Sequence, residues 1–116
     1  MPKLTTPQNG HPEALASKIH SPFSLCFRYK LKDNYNFLNL SNQNLRELQS
    51  FLNTSSQMTF EEVERRYRRK SDKNDTFNGD QVIHYGISKN FRIHGVIEHG
   101  EFVVLRLDPN HKFHNK

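Results

Sequence analysis

Alternation of apolar and polar residues is strongest in the last third of the chain, VIHYGISKNFRIHGVIEHGEFVVLRLDPNHKF, from Val82 to Phe113. It predicts three consecutive antiparallel strands, Val82–Ile87, Phe91–Ile97 and Phe102–Asp108. Ile83, Tyr85 and Ile87 share one face, as do Phe91, Ile93 and Ile97, and Val103, Leu105 and Leu107. Keeping all three sets on one side calls for three-residue loops, Ser88-Lys89-Asn90 and Glu98-His99-Gly100. A two-residue second loop would set Ile93 opposite Arg106 and mix the faces. The expected register therefore pairs Tyr85 with Ile93 and Ile93 with Leu105. On the opposite face Arg92 lies across from Arg106, and His94 lies across from His84 and Val104.

Upstream, Leu25, Phe27, Tyr29 and Leu31 alternate with Cys26, Arg28 and Lys30, which predicts a strand over Ser24–Leu31. A second short extended piece is expected at Tyr35–Leu40. Ser41 is an N-cap for a helix running to about Asn53, with Leu45, Leu48, Phe51 and Leu52 along one stripe. Thr59 and Glu62 have capping-box spacing, and Met58 and Val63 have the spacing of a hydrophobic staple. The second helix points Phe60, Val63 and Tyr67 inward and ends in Arg65, Arg66, Arg68, Arg69 and Lys70. Ser71–Gly79 reads as a polar loop with an Asn78-Gly79 turn. The order β-α-α-β-β-β defines an α+β fold, two helices packed on one face of an antiparallel sheet. Residues 23–116 form one domain, and residues 1–22, with four of the five prolines, form a mobile arm or a short helix.

Composition narrows the class. A length of 116 residues suits one domain with a modest core, and 34% hydrophobic content is low for a globular chain. A net charge of +5 favours an anionic partner: nucleic acid, an acidic protein or a membrane surface. The single Cys26 excludes an intramolecular disulfide and fits a reducing compartment. No apolar run approaches the roughly 18 residues of a membrane span, and the N-terminus lacks a signal-peptide core, so a cytoplasmic protein is expected.

The chemistry-bearing residues follow from the register. Opposed arginines on neighbouring strands repel, so Arg92 and Arg106 either clamp an anion or splay into water. Five cations in the six positions 65–70 form either a solvated helix end, favoured by the macrodipole, or a track for a polyanion. His84 and His94 fit a cross-strand pair satisfied by water as well as a reactive pair. Asp108-Pro109-Asn110 is a turn by composition, with Asp108 as its cap. Seven histidines raise the question of zinc, but no Cys pair and no zinc-ligand spacing accompany them, so neither a metal nor a cofactor is expected. Phosphate-binding glycine loops and nucleophile-elbow motifs are absent.

The element order, size and basicity, with the motifs FRIHG and DPNHKFH, resemble the RelE and YoeB group of bacterial toxins over roughly Ser24–His114. The ending also resembles small proteins of bacterial mobile elements with no assigned activity. The toxin resemblance implies a metal-independent endoribonuclease that cuts mRNA, often on the ribosome, and is neutralised by an acidic antitoxin. It places Arg92 at the family's phosphate-binding arginine, and His111 and His114 where the family has its C-terminal His or Tyr. His94 shares the face of Arg92 and completes the candidate catalytic set. Arg106, Arg65, Arg68, Arg69, Lys70 and Lys112 are the candidate RNA contacts. The family often uses Glu or Lys as its base, whereas the expected face offers no carboxylate except Asp108. A non-catalytic RNA- or ribosome-binding protein, or a mobile-element protein with an acidic host partner, accounts for the same charge.

Overall fold

The structure, a computed structural model, describes residues 21–114. The expected arm therefore lies almost wholly outside the described residues. Ser21 and Pro22 belong to the domain: the Phe60 amide donates to Ser21 O, and Pro22 bridges to Thr59. In chain order the elements are β1 (Leu25–Cys26), a 3-10 turn (Phe37–Asn39), α1 (Asn42–Ser55), α2 (Phe60–Tyr67) and β2 (Arg68–Arg69). There follow β3 (Thr76–Phe77), β4 (Asp80–Gln81), β5 (Ile83–Gly86), β6 (Arg92–Glu98) and β7 (Glu101–Asp108). This is the expected α+β class, with more strands than the periodicity announces.

Both helices start where the capping residues place them. Ser41 and Thr59 each accept from the backbone three residues on, and Asn44 and Glu62 return the bond. Their buried stripes, Leu48 and Phe51 from α1 and Phe60, Val63 and Tyr67 from α2, close over Tyr85, Phe91, Ile93, Phe102, Val104 and Leu107 of the sheet. Phe23 wedges between the layers, its ring edge-on to Phe60 at 4.9 Å.

Four expectations are corrected. The strand over Ser24–Leu31 shrinks to Leu25–Cys26 and runs parallel to β7, with Leu25 opposite Phe102. Beyond it the chain loops away and returns to cover the β7 edge, with Lys32 N on Leu105 O and Leu107 N on Tyr35 O. Tyr35–Leu40 is not extended, because Asn36 caps a 3-10 turn there. The second helix ends at Tyr67, and Arg68–Arg69 form an edge strand on β5, so the cation run is split between two elements. The sheet order is β1-β7-β6-β5-β2, and β3–β4 is a separate hairpin closed by Asn78 and Gly79, both at positive φ.

The fourth correction sets the site. The β5–β6 hairpin has the expected register, His84 opposite His94 and Tyr85 opposite Ile93. The β6–β7 hairpin instead turns on two residues, His99 and Gly100, both at positive φ, so that Glu98 pairs with Glu101. A bulge between His94 and Gly95 then shifts the register, pairing Ile93 with Leu107 and Arg92 with Asp108. Gly95 permits it: a Cβ there would lie 2.4 Å from Val103 O and 2.7 Å from the Phe102 ring. Hence Val103 and Leu105 leave the helix face and join Val82 and Val96 in a second cluster on the opposite face, under Tyr29 and Phe77.

Candidate functional site

The bulge determines which side chains meet on the face away from the helices. One row crosses four strands: Arg69 opposite His84, His84 opposite His94, and His94 opposite Arg106. The next row holds Gly86, Arg92 and Asp108. The expected Arg92–Arg106 opposition does not exist, because the two-residue turn and the bulge together move Arg106 two residues along β6, from opposite Arg92 to opposite His94.

The histidine rings of the row are stacked, with centroids 3.7 Å apart and planes 5° from parallel. Asp75, from the loop before β3, joins them. Its Oδ2 accepts from Arg106 Nη2 at 2.5 Å, and lies 3.3 Å from His84 Nε2 and 3.1 Å from His114 Nε2. Arg106 Nε donates to His94 Nδ1 at 2.8 Å, which places the His94 proton on Nε2. That Nε2 is buried without a hydrogen-bond partner, 3.9 Å from Asp108 Oδ2.

The C-terminal tail folds back over this network. Asp108 is buried and caps the turn, its carboxylate accepting from Lys112 N and Phe113 N, each at 2.9 Å. Phe113 then lies over the Arg106 guanidinium at 3.8 Å, and His114 stacks toward His84 with centroids 5.5 Å apart.

Electrostatics follow from this packing. Burial pushes the His94 pKa down to about 2, assisted by the nearby His84 and Arg106 charges. Burial lowers His84 as well, against the hydrogen bond and charge of Asp75, which raise it. Burial alone would raise the Asp75 carboxyl, but the hydrogen bond and charge of Arg106, with bonds from His114 and His84, hold it below the usual range. At neutral pH the centre is one carboxylate, one guanidinium and two neutral buried imidazoles.

The candidate residues lie at different places relative to this network. His94 and His114 are within the network, and His111 lines a pocket beside it with Lys70, Ser71, His84 and Asp108. Arg106 is 8% exposed and committed to Asp75 and His94, so it is not a free phosphate clamp. Arg68, Arg69 and Lys70, with Lys73, rim an adjoining basic pocket that shares Lys70 and Ser71 with the first. Arg92 lies at the edge: its Nη1 donates to Ser88 O and Lys89 O, and burial and the Arg69 charge lower its pKa. Arg69 and Arg92 both lie against bare Gly86, where a Cβ would come within 2.8 Å of Arg69 Nε and 3.2 Å of Arg92 Nη1. Arg65 pairs with Glu61 on the exposed side of α2, and Lys112 is exposed on the tail; neither lines these pockets.

Asp75 and His84 complete the centre and were not among the candidates. His84 is legible in the register, opposite His94. Asp75 sits in a polar loop nine residues from His84 and is placed only by the fold. A carboxylate oxygen of Asp75, a nitrogen of His84 and a nitrogen of His94 lie within 4.8 Å of one another, a donor set able to hold a metal ion. Among the described residues no helix is long and apolar enough to cross a membrane. Comparison with protein-family models, curated proteins and solved structures finds no match to the chain.

Proposed function

We propose that this chain binds RNA across its basic rim and cleaves it by histidine acid–base chemistry, in the manner of RelE-type mRNA endoribonucleases. The observation that carries this reading is the Asp75-anchored histidine cluster opening beside the Arg68, Arg69 and Lys70 rim. In such a reaction the ribose 2′-oxygen attacks the adjacent phosphorus, its proton passes to a base, and the departing 5′-oxygen takes a proton from an acid. His114 is the base: Asp75 engages its Nε2, leaving Nδ1 to accept the proton. His111, on the rim of the same pocket, is the acid. Arg69 and Arg92, side by side over Gly86, carry the phosphate charge. His94 and Arg106 act through their neighbours, because both are buried.

One observation favours a non-catalytic RNA-binding protein as a second reading. The most buried part of the cluster is closed by the protein's own tail, with Phe113 over Arg106. Purified chain incubated with RNA, together with mapping of mRNA 5′ ends in expressing cells, separates the two. Cleavage lost in His114→Ala while RNA binding persists supports the nuclease. Binding without any new 5′ end, on or off the ribosome, leaves the binder.

A further inference from the structure

We propose that Asp75, His84 and His94 form a binding site for a divalent transition-metal ion of the zinc, cobalt or nickel type, with His114 as the fourth ligand. Imidazole nitrogens with a single carboxylate oxygen suit these ions rather than magnesium or calcium, which prefer oxygen donors. Zinc bonds to such atoms are about 2.0–2.2 Å long, which sets tetrahedral ligand atoms about 3.4 Å apart. Asp75 Oδ2 is 3.3 Å from His84 Nε2 and 3.1 Å from His114 Nε2, so two edges of the tetrahedron already have that length. The His94 donor lies within 4.8 Å of the other two, so closing the set requires side-chain shifts of roughly 1.5 Å.

Three further features fit an ion. Both imidazoles are buried, and a neutral imidazole keeps one lone pair for coordination. The His94 lone pair is on Nδ1, the nitrogen that accepts from Arg106 Nε, and the same guanidinium bonds Asp75 Oδ2. Asp108 Oδ2, 3.9 Å from the protonated Nε2 of that ring, is placed to orient it as outer carboxylates do at metal-bound histidines. Arg106 marks the place as one built for positive charge, since its guanidinium bonds both Asp75 and His94. An ion takes over those acceptors, and the guanidinium, already against the Phe113 ring at 3.8 Å, gives up both bonds. Two parallel rings 3.7 Å apart cannot both aim in-plane lone pairs at one ion, so binding unstacks His84 from His94. The inference does not depend on RNA cleavage: an ion on His114 Nε2 leaves the proton on Nδ1, so cleavage with His114 as base belongs to the metal-free chain.

The test is titration of the metal-stripped full chain with zinc chloride and with cobalt chloride. Binding of one ion per chain is expected, with the visible cobalt spectrum of a four-coordinate nitrogen–oxygen site. Imidazole nitrogen resonances of His84 and His94 should move in the unmodified protein while those of His99, on the distant β6–β7 turn, do not. Asp75→Asn and His84→Gln should each weaken zinc binding at least tenfold. Should either variant unfold, the resonance shifts in the unmodified chain decide the question. Unsaturable binding, zinc affinity unchanged in folded His84→Gln, or shifts confined to other histidines would each overturn the proposal.

Discussion

Acidification from about pH 7 to about pH 5 should destabilise the fold through one side chain, His94, in a way that can be isolated. Its folded pKa is pushed to about 2 by burial, while the unfolded imidazole titrates near ~6.5. A histidine whose folded pKa is depressed contributes stability above its unfolded pKa and loses it as pH falls, because only the unfolded chain takes up the proton. Each pH unit well below ~6.5 then removes a little over ~1 kcal/mol, and the interval from pH 7 to pH 5 removes about 2 kcal/mol. His84, also lowered, adds in the same direction. Asp75 does not enter: its carboxyl is depressed, so its stabilising share is lost only below the ordinary aspartate pKa of ~3.9. The assay is urea unfolding followed by circular dichroism across this range, comparing the natural chain with His94→Gln. Glutamine keeps an acceptor for Arg106 Nε and cannot titrate. The natural chain should lose about 2 kcal/mol more than the variant between pH 7 and pH 5. Equal slopes for the two would show that His94 is not held neutral by burial.

Three other substitutions probe the frame around the site. Gly95→Ala sets a methyl against Val103 O and the Phe102 ring and should destabilise by at least about 2 kcal/mol, read by thermal unfolding. Asp108→Ala removes both acceptors of the tail turn and should cost about 1–3 kcal/mol, with faster amide exchange at Lys112 and Phe113. Leu38→Ser should change stability by less than about 0.5 kcal/mol in the same urea assay, because Leu38 is 94% exposed.

Local signals in the chain settled a good deal. Ser41 and Thr59 fix both helix starts, since a side-chain oxygen three residues before a free amide acts without tertiary help. The β5–β6 register, and with it the His84–His94 pair, follows from alternation about Ser88-Lys89-Asn90. Asp108 as the cap of its turn was legible for the same local reason.

Tertiary structure decided the remainder. Alternation assumes an unbroken ladder, and the two-residue turn at His99-Gly100 plus one bulge changes the register twice, sending Arg106 to His94 and Arg92 to Asp108. Nothing in the residue pattern requires that bulge; the close approach of Val103 and Phe102 to Gly95 does. Helix periodicity likewise carried α2 through Lys70, whereas pairing with β5 draws Arg68 and Arg69 into the sheet. Asp75 gives no local sign of its role: its partners lie nine, 31 and 39 residues away. The chain thus fixes by itself those features whose interactions span a few residues, while the centre of charge, made of contacts between distant segments, exists only once the sheet, loop and tail have closed on one another.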